Sequence, residues 1–141
     1  MTRQSRTFKL LLSPAGQDLL IEAHCHMIRC TRQMLAWGTT LQLAVLHLET
    51  VPPARIEDQL ERLPALGLMG DHRHFVGAPK GLSESAAAIA NSVSVGGATP
   101  TISSIYLVAL QQLLVADSAD LRSALERARW TTPARINPNR M

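Results

Sequence analysis

Apolar positions along this chain keep one helical phase from Ala15 to Leu48. Leu19, Ala23, Met27, Cys30, Met34, Trp37, Leu41, Val45 and Leu48 share a broad face, while Asp18, Glu22, Arg29, Gln33, Thr40 and His47 fall on the opposite stripe. A second apolar line, Ile21, Ile28, Leu35 and Leu46, flanks the first. The pattern predicts either one helix of roughly 34 residues, about 50 Å long at 1.5 Å per residue, or two helices broken near Thr31 or Gly38. An unbroken helix of that length implies a partner chain, whereas a break allows a single-chain bundle.

Ahead of this segment, "SRTFKLLL" alternates with period two. Phe8, Leu10 and Leu12 share one side and Thr7 and Lys9 the other, which predicts a short strand. Ser13 then stands as N-cap with Pro14 at the first helical position.

Downstream, "PARIEDQLER" from Pro53 predicts a short helix with Ile56, Leu60 and Leu63 inward, stopped by Pro64. Residues 66–82 hold four glycines and a proline and read as the longest loop. An Ala-rich helix follows over 83–95. Thr99 and Pro100 then open a helix that is apolar in nearly every direction except at Ser104, Gln111 and Gln112, as a central buried helix would be.

A last helix, capped by Asp117 or Ser118, runs to about Trp130 with Leu121, Leu125 and Ala128 inward and an Arg122–Glu126 pair outward. The expected fold is mainly α: a small helical bundle with a short N-terminal β-strand. Residues 1–130 are expected to form a single helical domain, and 131–141 a basic, disordered C-terminal tail.

Composition agrees with that class. The 141 residues are 46% hydrophobic but only 4% aromatic, too few for a β-sandwich or an extensive base-stacking surface. No apolar run reaches the ~18–20 residues of a membrane span, so no membrane partner is expected. Two cysteines make no disulfide framework, which implies a reducing, cytoplasmic setting. The first seventeen residues carry Arg, Ser and Lys but no acid, as a mitochondrial transit peptide would, but Pro14 interrupts an amphipathic helix there.

The candidate chemistry is sparse. In "AHCHMIRC", residues 23–30, helical geometry lets only His26 and Cys30 share a face. A zinc site needs three or four ligands; the others would have to be His72 and His74 of "DHRH". A core cysteine and rim histidines account for the stretch more simply, so we expect no metal and no cofactor. The chain has no G-x-S-x-G elbow and no carboxylate pair in an apolar stretch, and "GAPKGLS" lacks the spacing of a phosphate-binding loop. No catalytic residue is expected, and the chain does not read as an enzyme.

Charge changes the picture most. The net charge is +3, but Arg3, Arg6 and Lys9 at one end and Arg127, Arg129, Arg135 and Arg140 at the other total +7, leaving the interior at −4. Basic ends suit an anionic partner, although solvated tails would look the same. The order of "RTFKLLLSPAGQDLLIEA", a short basic strand, a proline and an amphipathic helix, resembles the start of a ribbon-helix-helix DNA-binding domain. The resemblance covers about residues 5–48.

It implies that two such strands pair across a dimer and enter the major groove, with Thr7, Lys9 and Leu11 outward. Leu11 departs from a base-reading residue, and no glycine-containing turn separates the expected two helices. The expectation is therefore a small dimeric regulatory protein, a transcription regulator, binding nucleic acid through Arg3, Arg6, Thr7 and Lys9. The alternative is a helical adaptor or inhibitor that docks another protein on an apolar helix face. An excess of apolar stripe over 15–48 also suggests a homodimer.

Overall fold

The computed structural model describes residues 6–79 and 81–130. Arg3 and the tail 131–141 lie outside the described residues. Within them the order is β1 (Arg6–Leu12), α1 (Pro14–Thr31), α2 (Trp37–Leu48), α3 (Pro53–Leu66), β2 (His72–Ala78), α4 (Leu82–Ser92), α5 (Ile102–Val115) and α6 (Ser118–Trp130). The fold is a small, mainly helical bundle with a two-stranded antiparallel sheet. None of its described helices is long and apolar enough to cross a membrane.

The long apolar segment is two helices. Arg32 adopts a left-handed conformation, φ +59°, and its N–H caps α1 by donating to the Ile28 carbonyl at 2.7 Å. The Thr31 hydroxyl also turns back, donating to the Met27 carbonyl at 2.8 Å. Residues 32–36 then reset the helical phase. Leu19, Ala23, Met27, Leu41, Val45 and Leu48 of the expected stripe are buried, but Met34 is 89% and Trp37 43% exposed. Thr40, expected outside, is fully buried. The stripe that suggested a partner chain is thus largely covered from within.

Helix α5 is the centre. Seven of its side chains, from Ile105 to Leu110 and Leu113, are fully buried, and it packs against α1, α2, α3 and α4. Its polar sector is answered by α3: the Gln59 amide donates to Gln111 Oε1 at 3.1 Å, and the Gln112 amide donates to Gln59 Oε1. Burial, with a smaller contribution from the Glu84 carboxylate, pushes the Tyr106 phenol up.

Four boundaries differ from expectation, and the simplest is that α4 ends at Ser92 rather than at 95. Residues 66–82 are not one loop, because 72–78 form β2. Helix α3 runs through Pro64 to Leu66, since a proline in the last turn removes one hydrogen bond just before the left-handed Gly67, φ +62°, ends the helix. Helix α5 is capped by the Thr101 hydroxyl, which accepts from the Ser104 N–H at 3.2 Å, rather than by Thr99. At the next start, Asp117 Oδ1 accepts from the Asp120 N–H at 2.9 Å.

Candidate nucleic-acid interface

The basic strand finds its partner within the chain. β1 pairs antiparallel with β2 in the register Arg6↔Ala78, Thr7↔Gly77, Lys9↔Phe75, Leu11↔Arg73 and Leu12↔His72. Alternation puts Leu10 and Leu12 wholly in the core and leaves Lys9 exposed and Leu11 39% exposed. Arg73, directly opposite Leu11, is exposed too. The ribbon therefore presents Lys9 and Arg73 on one outer face, and neither strand contains an acidic residue.

Its inner side is tied to α1, where the Gln17 amide donates to His74 Nε2 at 2.9 Å. At the turn into α1, the Ser13 side chain accepts from the Gly16 N–H at 3.1 Å and donates to the Gly67 carbonyl. This within-chain pairing departs from the ribbon-helix-helix arrangement, in which the strand's partner is the same strand of a second chain.

Of the expected contact residues, the structure places Lys9 on this outer face and Arg6 and Thr7 in β1; Arg3 lies outside the described residues. Arg73 joins them unforeseen. The signal for it is faint: "HRHFV" shows no apolar–polar alternation, and the surrounding glycines make the whole stretch resemble a loop. The basic residues of α6 are differently placed. Arg127 pairs with Glu49 at 2.9 Å, and Arg129 with Glu126 at 3.5 Å. An arginine already facing a carboxylate gains less from a phosphate, so the described C-terminal arginines are weaker candidates than the ribbon.

The histidines and cysteines of α1 go separate ways. His26 donates from Nε2 to the Ala116 carbonyl at 3.0 Å, with the half-buried Cys30 sulfur 3.8 Å from its ring nitrogens. His74 lies against Gln17 and His72 is exposed, so the four imagined ligands do not converge. Among the described residues no three His, Cys, Asp or Glu side chains could hold a metal ion together. His24, expected at a rim, is only 8% exposed. Its ring stacks on Trp37 with centroids 3.9 Å apart and planes 16° from parallel, and Nδ1 is hydrogen-bonded to Thr40 Oγ1 at 2.7 Å.

A cavity of about 230 Å³ opens between α2 and the start of α4, lined by Gln42, Val45, Leu46, Glu49, Gly81, Leu82 and Ser85. It adjoins the "GAPKGLS" stretch, but the Glu49 carboxylate in its wall is unfavourable to a phosphate.

No protein-family model matches the chain, and no match was found among curated proteins or solved structures.

Proposed function

We propose that this is a small regulatory protein that binds nucleic acid through the outer face of the β1–β2 ribbon. The observation that supports this reading is the pairing of two acid-free strands that expose Lys9 and Arg73, diagonally placed, on one face, while Arg127 and Arg129 face carboxylates. Phosphate contacts by such cations supply most of non-specific affinity and make it salt-dependent. The inner face is packed on the bundle, so the ribbon would meet its ligand by its outer face rather than as an inserted arm. Free cysteines at 25 and 30 suit the reducing, cytoplasmic setting we assign to it.

Fluorescence anisotropy on a labelled duplex at stepped salt concentrations tests the proposal. Replacing Lys9 and Arg73 together by Ala should weaken binding and reduce the slope of log K against log salt by about 1.8, at about 0.9 per phosphate contact. An unchanged slope, or no binding by the unaltered protein at low salt, refutes it.

The second reading, a helical adaptor for another protein, is favoured by the exposure of Met34 and Trp37 at the α1–α2 corner and of Ile21 on α1. A homodimer would use the same corner, since the longer stripe is covered.

A further inference from the structure

We propose that His24 is a proton-sensitive latch that holds the first turn of α2, and through it β2, in place. Three contacts converge on that turn. Trp37 stacks on the His24 ring, Thr40 is hydrogen-bonded to His24 Nδ1, and Gly38, between them, lies against the backbone of β2. A Cβ on Gly38 would land on the Gly77 carbonyl oxygen, so α2 and β2 touch through bare backbone. Thr40 is fully and His24 nine-tenths buried, so the hydrogen bond between them is shielded from water. The latch stands independently of what the ribbon binds.

The neutral ring satisfies this geometry, with one nitrogen engaged by Thr40. Whether Nδ1 donates to Thr40 or accepts from it, a second ring proton puts a charge on a ring that is only 8% exposed. Flat stacking of an imidazolium on the indole would oppose the resulting cost, because a cation over an aromatic face is attracted to it. Burial acts the other way and pushes the His24 imidazole below its ordinary value of 6.5.

Charges on the surrounding elements do not offset burial. α5 carries no ionisable side chain besides Tyr106, and α2 carries only His47, in its last turn. α1 itself has Asp18, Glu22, Cys25, His26, Arg29 and Cys30; β1 has Arg6 and Lys9; α6 has Asp120, Arg122, Glu126, Arg127 and Arg129. From β2 come His72, Arg73 and His74, the last held by Gln17. None of these adds to the cause of the shift, which is burial alone.

The folded state therefore binds fewer protons at His24 than the unfolded chain. Its contribution to stability is complete above 6.5 and is lost as pH falls through that value toward the lower folded one. Protonation is relieved by swinging Trp37 and Thr40 away, which unseats Gly38 from Gly77.

The test is a titration from about pH 8 to about pH 5, the range in which histidine switches. A Trp130→Phe background, excited where tyrosine does not absorb, makes Trp37 the sole emitter. Expected are a His24 Cε1–H NMR midpoint below 6.5 and, at that same midpoint, a change in Trp37 emission and in the Gly38 and Gly77 amide resonances. His24→Gln, which keeps a donor for Thr40 and cannot titrate, should abolish the emission change. Should that variant fail to fold, the NMR titration of the unaltered protein decides alone. A His24 midpoint at or above 6.5 overturns the proposal. So does titration of His24 that leaves the Trp37 emission or the Gly77 amide unmoved, or an emission change that persists in His24→Gln.

Discussion

Helix α5 and the β1–β2 ribbon hold their places by opposite means. α5 is surrounded: seven of its side chains are fully buried, four helices pack on it, and its glutamines are answered by Gln59. The ribbon is anchored on one face alone, by Leu10 and Leu12, with Gln17–His74, Ser13 and the Gly38–Gly77 contact along its borders. Hydrophobic burial fixes the first and a few specific contacts orient the second. The difference separates what keeps the protein folded from what it offers to a ligand, and it can be tested from both sides.

The largest effect is expected at α5. Leu110 is fully buried, so Leu110→Ala removes apolar surface and leaves a cavity that neighbouring helices can close only partly. Such truncations cost about 2–5 kcal/mol, measurable as a lowered midpoint in urea unfolding. At low denaturant, where the variant is still folded, the nucleic-acid binding proposed for the ribbon should be unchanged. A loss of affinity per folded molecule would mean that core and ribbon are not separable.

The same contrast explains what could be read ahead of the structure. α5 was legible because its burial is written on nearly every direction of the helix, and β1 because Phe8, Leu10 and Leu12 alternate strictly. β2 was not, because Gly70, Gly77 and Gly81 look like loop residues, although Gly70 lies so close to the backbone of Ser13 that a side chain would not fit. Gly38 shows the same limit: nothing in "WGTT" announces that a carbonyl from β2 will lie against it.

A break near Thr31 is one of the alternatives that the apolar pattern allows, and the pattern alone does not choose it, since no glycine marks the left-handed residue and Arg32 adopts that conformation itself. Of the proposed interface, Lys9 follows from alternation, whereas Arg73 depends on a strand pairing more than sixty residues away along the chain. His24 escaped notice as a buried group because the break that brings Trp37 and Thr40 onto it lies between them in sequence.

An intermediate effect is expected where the two regions meet. Gly38→Ala places a methyl group on the Gly77 carbonyl oxygen, and because that obstacle is backbone it cannot swing aside. Overpacking of this kind costs about 1–3 kcal/mol. Here the loss should be accompanied by selective hydrogen-exchange acceleration in 72–78, while α5 amides keep their protection. Uniform acceleration would show that α2 and the ribbon unfold together with the core, and would erase the distinction drawn above.

The smallest expected effect lies at Ser13, the joint between β1 and α1. Its hydroxyl oxygen accepts from the Gly16 N–H as an N-cap and donates to the Gly67 carbonyl, so one side chain starts α1 and fastens the end of α3 to it. Ser13→Ala should cost about 1 kcal/mol, the usual loss for an N-cap serine. The neighbouring Ser13 N–H still donates to the Leu68 carbonyl at 2.9 Å, so the chain should keep its course there. Ser13→Asp separates the two roles. A carboxylate accepts from the Gly16 N–H and suits the positive end of the helix dipole, but it has no proton to give Gly67. If capping dominates, Ser13→Asp should recover most of the stability lost in Ser13→Ala, as read from thermal unfolding. If the aspartate variant is as unstable as the alanine one, the hydrogen bond to Gly67 is the part that matters, and the ribbon's border is held by α3 rather than by α1.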